Sequence, residues 1–96
     1  MKIYNYKELL IRMNMLEEIL KGKKIEEVEM QSSEVNSVLN IRYTYDFNKV
    51  TIQYICEVDE DEETGYWTKC RIIENSEVIY NEKSLDSLIQ KVKAMN

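Results

Sequence analysis

The chain contains no histidine. That removes Ser-His and Cys-His nucleophilic sites and every histidine-containing zinc site. Cys56 and Cys70 are the only cysteines, too few to close a four-cysteine zinc site and without C-x-x-C spacing. Glycine occurs only at 22 and 65 and proline not at all, so neither a Walker phosphate loop nor a dinucleotide fingerprint can be written. The same scarcity leaves no linker or low-complexity tract, and no internal repeat is visible. No stretch approaches the ~20 apolar residues of a membrane span, and Met1 to Tyr6 carries no apolar run of signal-peptide type. A cytoplasmic protein with reduced thiols is expected, with no cofactor, no metal and no membrane partner.

What the chain does have is a concentration of acid. Six of the seven residues from Glu57 to Glu63 are carboxylates: Glu57, Asp59, Glu60, Asp61, Glu62 and Glu63. The chain holds 18 acids and 13 bases, so without those six it is close to neutral. The acidity is one local feature. The net charge of −5 also speaks against nucleic acid as a direct partner, because phosphate binding draws on Lys and Arg.

Ninety-six residues make a single domain, residues 1–96, able to fold with a modest core. Apolar residues at Tyr6, Leu9, Leu10, Met13, Leu16, Ile19 and Leu20 predict a helix over Tyr6 to Lys21. Asn5 and Glu8 can form a capping box, and Gly22 stands where a left-handed residue would end the helix. Lys21, Lys23 and Lys24 complement the helix dipole there, or form a small anion-binding patch. A short edge strand follows over Glu27 to Gln31, with a second helix as the alternative, then a loop at Ser32-Ser33-Glu34. Alternation, with Ile55 as its exception, predicts a hairpin from Val38 to Phe47 and Val50 to Val58, with Leu39, Ile41, Tyr43, Tyr45 and Phe47 on one face. Tyr66 to Ile73 is the next strand, although neither of its alternating faces is purely apolar. Val78 to Tyr80 offers a fifth strand. A second helix starts after Ser84 as N-cap, with Leu85, Leu88, Ile89, Val92 and Met95 on its apolar face. The fold class expected is α+β: an antiparallel meander of four or five strands, flanked by N- and C-terminal helices on one face of the sheet.

The acidic turn superficially matches a calcium loop. Counted from Asp59, however, an EF-hand requires glycine sixth and glutamate twelfth, where this chain has Thr64 and Cys70. Two readings stay open: a solvated hairpin loop, or an electrostatic contact for a basic partner, since clustered like charges cost stability that an Asn-Gly turn would avoid. Solvated carboxylates keep ordinary pKa values, poor preparation for acid catalysis near neutral pH. Tyr66 and Trp67 directly follow the acids. Such residues anchor protein interfaces; alternatively Trp67 covers the wet face of the sheet or caps the core. Cys56 and Cys70 are read as packing residues.

An acidic chain of this size, with Asp59 to Glu63 projecting from a β-hairpin between terminal helices, resembles the small inhibitor proteins of phages and mobile elements of the anti-CRISPR type. The resemblance covers size, element order and Glu57 to Glu63. It implies a non-enzymatic inhibitor, acting in a host cell's cytoplasm, that mimics the charge of nucleic acid. Such a protein sets its acids against the basic channel of a nucleic-acid-binding effector; Tyr66 and Trp67 join that candidate interface by their place beside the acids, not by the resemblance. The long strands and the lysines at the helix ends are not explained by mimicry. The alternative is a structural or assembly subunit that homodimerises through a sheet edge, so monomer and homodimer both remain expectations.

Overall fold

The computed structural model describes residues 2–32 and 37–95. The expected Ser33-Glu34 loop lies outside these residues, while Ser32 closes a strand. The elements in order are β1 (Tyr4–Asn5), α1 (Tyr6–Leu20), β2 (Lys24–Ser32), β3 (Ser37–Phe47), β4 (Val50–Asp59), β5 (Thr64–Glu74), β6 (Glu77–Glu82) and α2 (Leu85–Met95). All strand pairs are antiparallel, and β2 to β5 follow one another across the sheet. Beyond β5, its two ends carry β1 and β6. The fold is α+β, as the periodicity implied.

Local chemistry explains where the helices begin. The Asn5 side chain accepts from the Glu8 N–H at 2.9 Å, and Glu8 Oε1 accepts from the Asn5 N–H, the reciprocal capping box. Ser84 Oγ accepts from the Ser87 N–H in the same role for α2. The end of α1 departs from expectation. Its left-handed residue is Lys21, at φ 47° and ψ 32°, not Gly22. The lysine N–H donates to the Glu17 carbonyl and completes the last turn.

One face of the sheet and one face of each helix form the core. Leu9, Met13, Leu16 and Leu20 of α1 and Leu85, Leu88, Ile89 and Val92 of α2 meet Ile52, Tyr54, Cys56, Val58, Trp67, Cys70 and Ile72. Leu10, expected on the buried face, is 55 % exposed, because the face of α1 turned to the core is the one that bears Leu9, Met13, Leu16 and Leu20. An aromatic series crosses the strands under the helices. Tyr54 stacks on Tyr43 at 5.0 Å and on Tyr45 at 6.5 Å, and Trp67 meets it edge-on at 5.8 Å. The Tyr54 hydroxyl and the Trp67 indole N–H find no hydrogen-bond partner among the described residues.

The puzzle of β5 is solved by a bulge. Ile55 pairs with Lys69 but Cys56 with Trp67, so Thr68 is an extra residue on β5. Before it the inward residues are Gly65 and Trp67; after it they are Cys70 and Ile72. A strand whose parity switches midway shows no clean alternation in either register. Thr68 Oγ1 donates to the Ile55 carbonyl at 3.2 Å, which satisfies a backbone acceptor at the break.

Candidate functional site

The acidic turn joins β4 to β5, with Asp59↔Thr64 as the last ladder pair. Its shape is set by its own carboxylates. Asp59 Oδ1 accepts from the Asp61 and Glu62 N–H groups at 3.0 and 3.2 Å, an Asx turn. Glu63 takes a left-handed conformation, φ 54°, and redirects the chain into β5. The turn is then tied to the start of β3. The Ser37 hydroxyl donates to Glu60 at 2.8 Å, the Ser37 N–H donates to Asp61 at 3.3 Å, and the Glu60 N–H donates to the Ser37 carbonyl. Ser37 was not legible as a site residue, because it lies 23 and 24 positions away from its two acidic partners and no local pattern links them.

The fold also places the N-terminus of α1 beside the turn. Asn5, its cap, is the ladder partner of Thr64. The Tyr6 hydroxyl is held above its ordinary pKa, by burial first and then by the charges of Glu60, Glu63 and Asp59. The positive end of the helix dipole thus lies beside the turn, where it favours negative charge. Among the described residues, no Lys or Arg stands within ion-pair distance of any of the six acids; the three ion pairs join Arg12 to Asp86, Lys24 to Glu17 and Arg42 to Glu27.

The eight expected site residues separate into three places. Glu60, Asp61, Glu62 and Glu63 sit exposed at the tip, with Asp59 below them as the capping acid. Glu57 and Tyr66 are a cross-strand pair on the sheet face away from the helices. There a hydrogen bond to Glu57, more than burial, raises the Tyr66 hydroxyl pKa. Glu57 also borders a depression of about 400 Å³ shared with Glu27, Glu29, Arg42 and Lys69. Trp67 belongs to neither place. It is 2 % exposed and packed against Tyr54, so its expected role as a surface anchor is corrected to a core role. The Thr68 bulge is the reason: it turns Trp67 inward, onto the face that Cys70 and Ile72 continue.

Gly65, next to the turn, is a packing residue. A Cβ there would stand 2.8 Å from the Glu57 carbonyl oxygen and 3.0 Å from a Leu9 methyl carbon. Its backbone is not left-handed, so space rather than turn geometry requires glycine. The two thiols are inert by environment: both are buried, and burial pushes each up to about 12, far from the thiolate needed for reactivity. Among the described residues no group of three or more Cys, Asp or Glu side chains is arranged to hold a metal ion, and no helix is long and apolar enough to cross a membrane.

No protein-family model, curated protein or solved structure matches the chain.

Proposed function

We propose that the protein is a non-enzymatic binding module whose acidic turn, Asp59 to Glu63, contacts a basic surface of a partner protein. One observation carries this reading: the turn is shaped by hydrogen bonds to the carboxylates of Asp59, Glu60 and Asp61, yet its acids lack a cation within ion-pair distance among the described residues. Charge on a turn whose backbone is already fixed loses less entropy when it meets a partner, and an uncompensated cluster raises the association rate. A nucleic-acid-binding effector presents the complementary surface, a channel lined by Lys and Arg. Occupying it would make the protein an inhibitor in the manner of anti-CRISPR proteins, within the cytoplasm of a host cell. Glu57 and Tyr66 extend the contact along the outer face of the sheet. Trp67 acts behind it, as support for β5.

The test is capture of the partner from the producing cell on immobilised protein, eluted by rising salt. Wild-type capture should weaken steadily with ionic strength. The variant carrying Glu60→Gln, Asp61→Asn, Glu62→Gln and Glu63→Gln keeps the Asp59 cap and should fold normally, but capture far less. Capture that the variant retains, or that high salt leaves intact, refutes the proposal.

A further inference from the structure

The strand β2 forms one edge of the sheet. It runs for nine residues and pairs with β3 without a register break. Its outer side therefore offers a straight row of backbone donors and acceptors. Sheets usually close such edges with proline, a bulge or extreme shortness. Lys24 to Ser32 has no proline, no bulge and no lack of length. Its protection is charge, from Glu26, Glu27 and Glu29. Proline or a bulge turns away every incoming strand, whereas a row of carboxylates turns away only strands of like sign.

A second copy of this chain is disfavoured by that sign wherever the pairing is centred within β2. In a continuous sheet made by a two-fold axis, opposed residues share a face. Centring the pairing on Glu26, Glu27 or Glu29 puts that glutamate opposite itself, and centring it on Val28 puts Glu27 opposite Glu29. Like charges directly opposed across a ladder are destabilising. The homodimer through this edge, expected as the alternative role, is therefore disfavoured at each of its central registers.

The two faces of β2 define what would fit instead. Glu27 and Glu29 lie over Arg42 and Asn40 on the face away from the helices. Val28 and Met30 lie over Ile41 and Leu39 on the helix side, yet are 54 % and 63 % exposed: α1 touches β2 at its first residue, through the Lys24–Glu17 ion pair, and neither helix packs along the rest of the strand. We propose that β2 accepts an extended segment of a partner protein, added as a further antiparallel or parallel strand, with Lys or Arg opposite Glu27 and Glu29 and apolar residues opposite Val28 and Met30. Main-chain hydrogen bonds supply affinity and the alternating pockets supply selectivity, as in other strand-addition complexes. This site is separate from Asp59–Glu63, and its test does not depend on the role of that turn.

The probe is a capped nine-residue peptide of alternating lysine and valine, set against one of alternating glutamate and valine. Amide hydrogen exchange on the intact protein reads where they bind. The lysine peptide should slow exchange at β2 and bind less well as salt rises, and the glutamate peptide should not bind. Glu27→Lys combined with Glu29→Lys should weaken the lysine peptide by roughly tenfold and admit the glutamate peptide. Should that variant misfold, Glu27→Gln with Glu29→Gln should abolish the discrimination between peptides. The variant with a neutralised acidic turn should retain peptide binding. Equal binding of both peptides to the wild type, protection at Asp59 to Glu63 in place of β2, or a wild-type dimer protected at β2 without peptide would each overturn the proposal.

Discussion

Two strands of nearly equal length, β4 and β2, live under opposite conditions. β4 lies between β3 and β5 with both helices over the face that carries Ile52, Tyr54, Cys56 and Val58, all buried. β2 has a neighbour on one side only, and its apolar residues Ile25, Val28 and Met30 are each more than half exposed. The difference teaches that alternation in a sequence records burial on one face, not the strand itself. Where a helix covers the sheet, every second residue must be apolar. Where nothing covers it, Glu26 can share a face with Val28 at little cost.

The same substitution should have very different costs in the two strands. Ile52→Ala removes a side chain of zero exposure and should cost about 2–5 kcal/mol. Ile25→Ala, at 53 % exposure, should stay within about 0.5 kcal/mol of the wild type. Chemical denaturation of the two variants checks both values, and a large loss for Ile25→Ala would show that β2 is covered in solution. Next in size is Gly65→Ala, expected to cost roughly 1–3 kcal/mol by overpacking. Gly22→Ala, whose Cβ would meet only ordinary contacts at 3.6 Å and beyond, should change thermal stability far less. Smallest is Tyr54→Phe. It deletes a buried hydroxyl with no partner among the described residues, so stability should hold or rise by up to about 1 kcal/mol. A clear loss on calorimetry would reveal a partner for that hydroxyl.

The same contrast runs along the pH axis. Burial raises Cys56 and Cys70 from 9.0 to about 12, and pushes Tyr43 and Tyr54 up as well. The unfolded chain then loses these protons at lower pH than the folded one. Their contribution is complete below about pH 9 and is lost as pH rises towards 12. Stability should therefore fall on the alkaline side, and Cys70→Ala should flatten that limb of the titration.

The parts of the fold that were legible in the sequence are those where one local rule decides. Asn5 with Glu8, Ser84 before α2, and the β3–β4 hairpin are set by residues close in sequence, and each formed as the spacing implied. The rest depends on distant neighbours. The Thr68 bulge is fixed by what β4 offers across the ladder, so the inward turn of Trp67 could not be read from β5. Leu10 follows the helical period yet stands on the exposed flank of α1, outside the stripe of Leu9, Met13, Leu16 and Leu20. The strand of Tyr4–Asn5 is only two residues long and carries no period at all. Of the candidate site, the acids were legible as charge, but their fastening to Ser37 was not.

The sequential order of β2, β3, β4 and β5 also bears on how the molecule assembles. Each hairpin joins neighbours in the chain, so it closes a short loop, and such pairings form early because little chain entropy opposes them. The bridge between the two helices is of another kind: Arg12 meets Asp86 across 74 positions of chain. The helix pair is therefore expected to dock last, once the sheet presents the surface that both must cover. Mutations at the α1–α2 contact should then speed unfolding and leave the folding rate nearly untouched, whereas changes in the β3–β4 hairpin should slow folding.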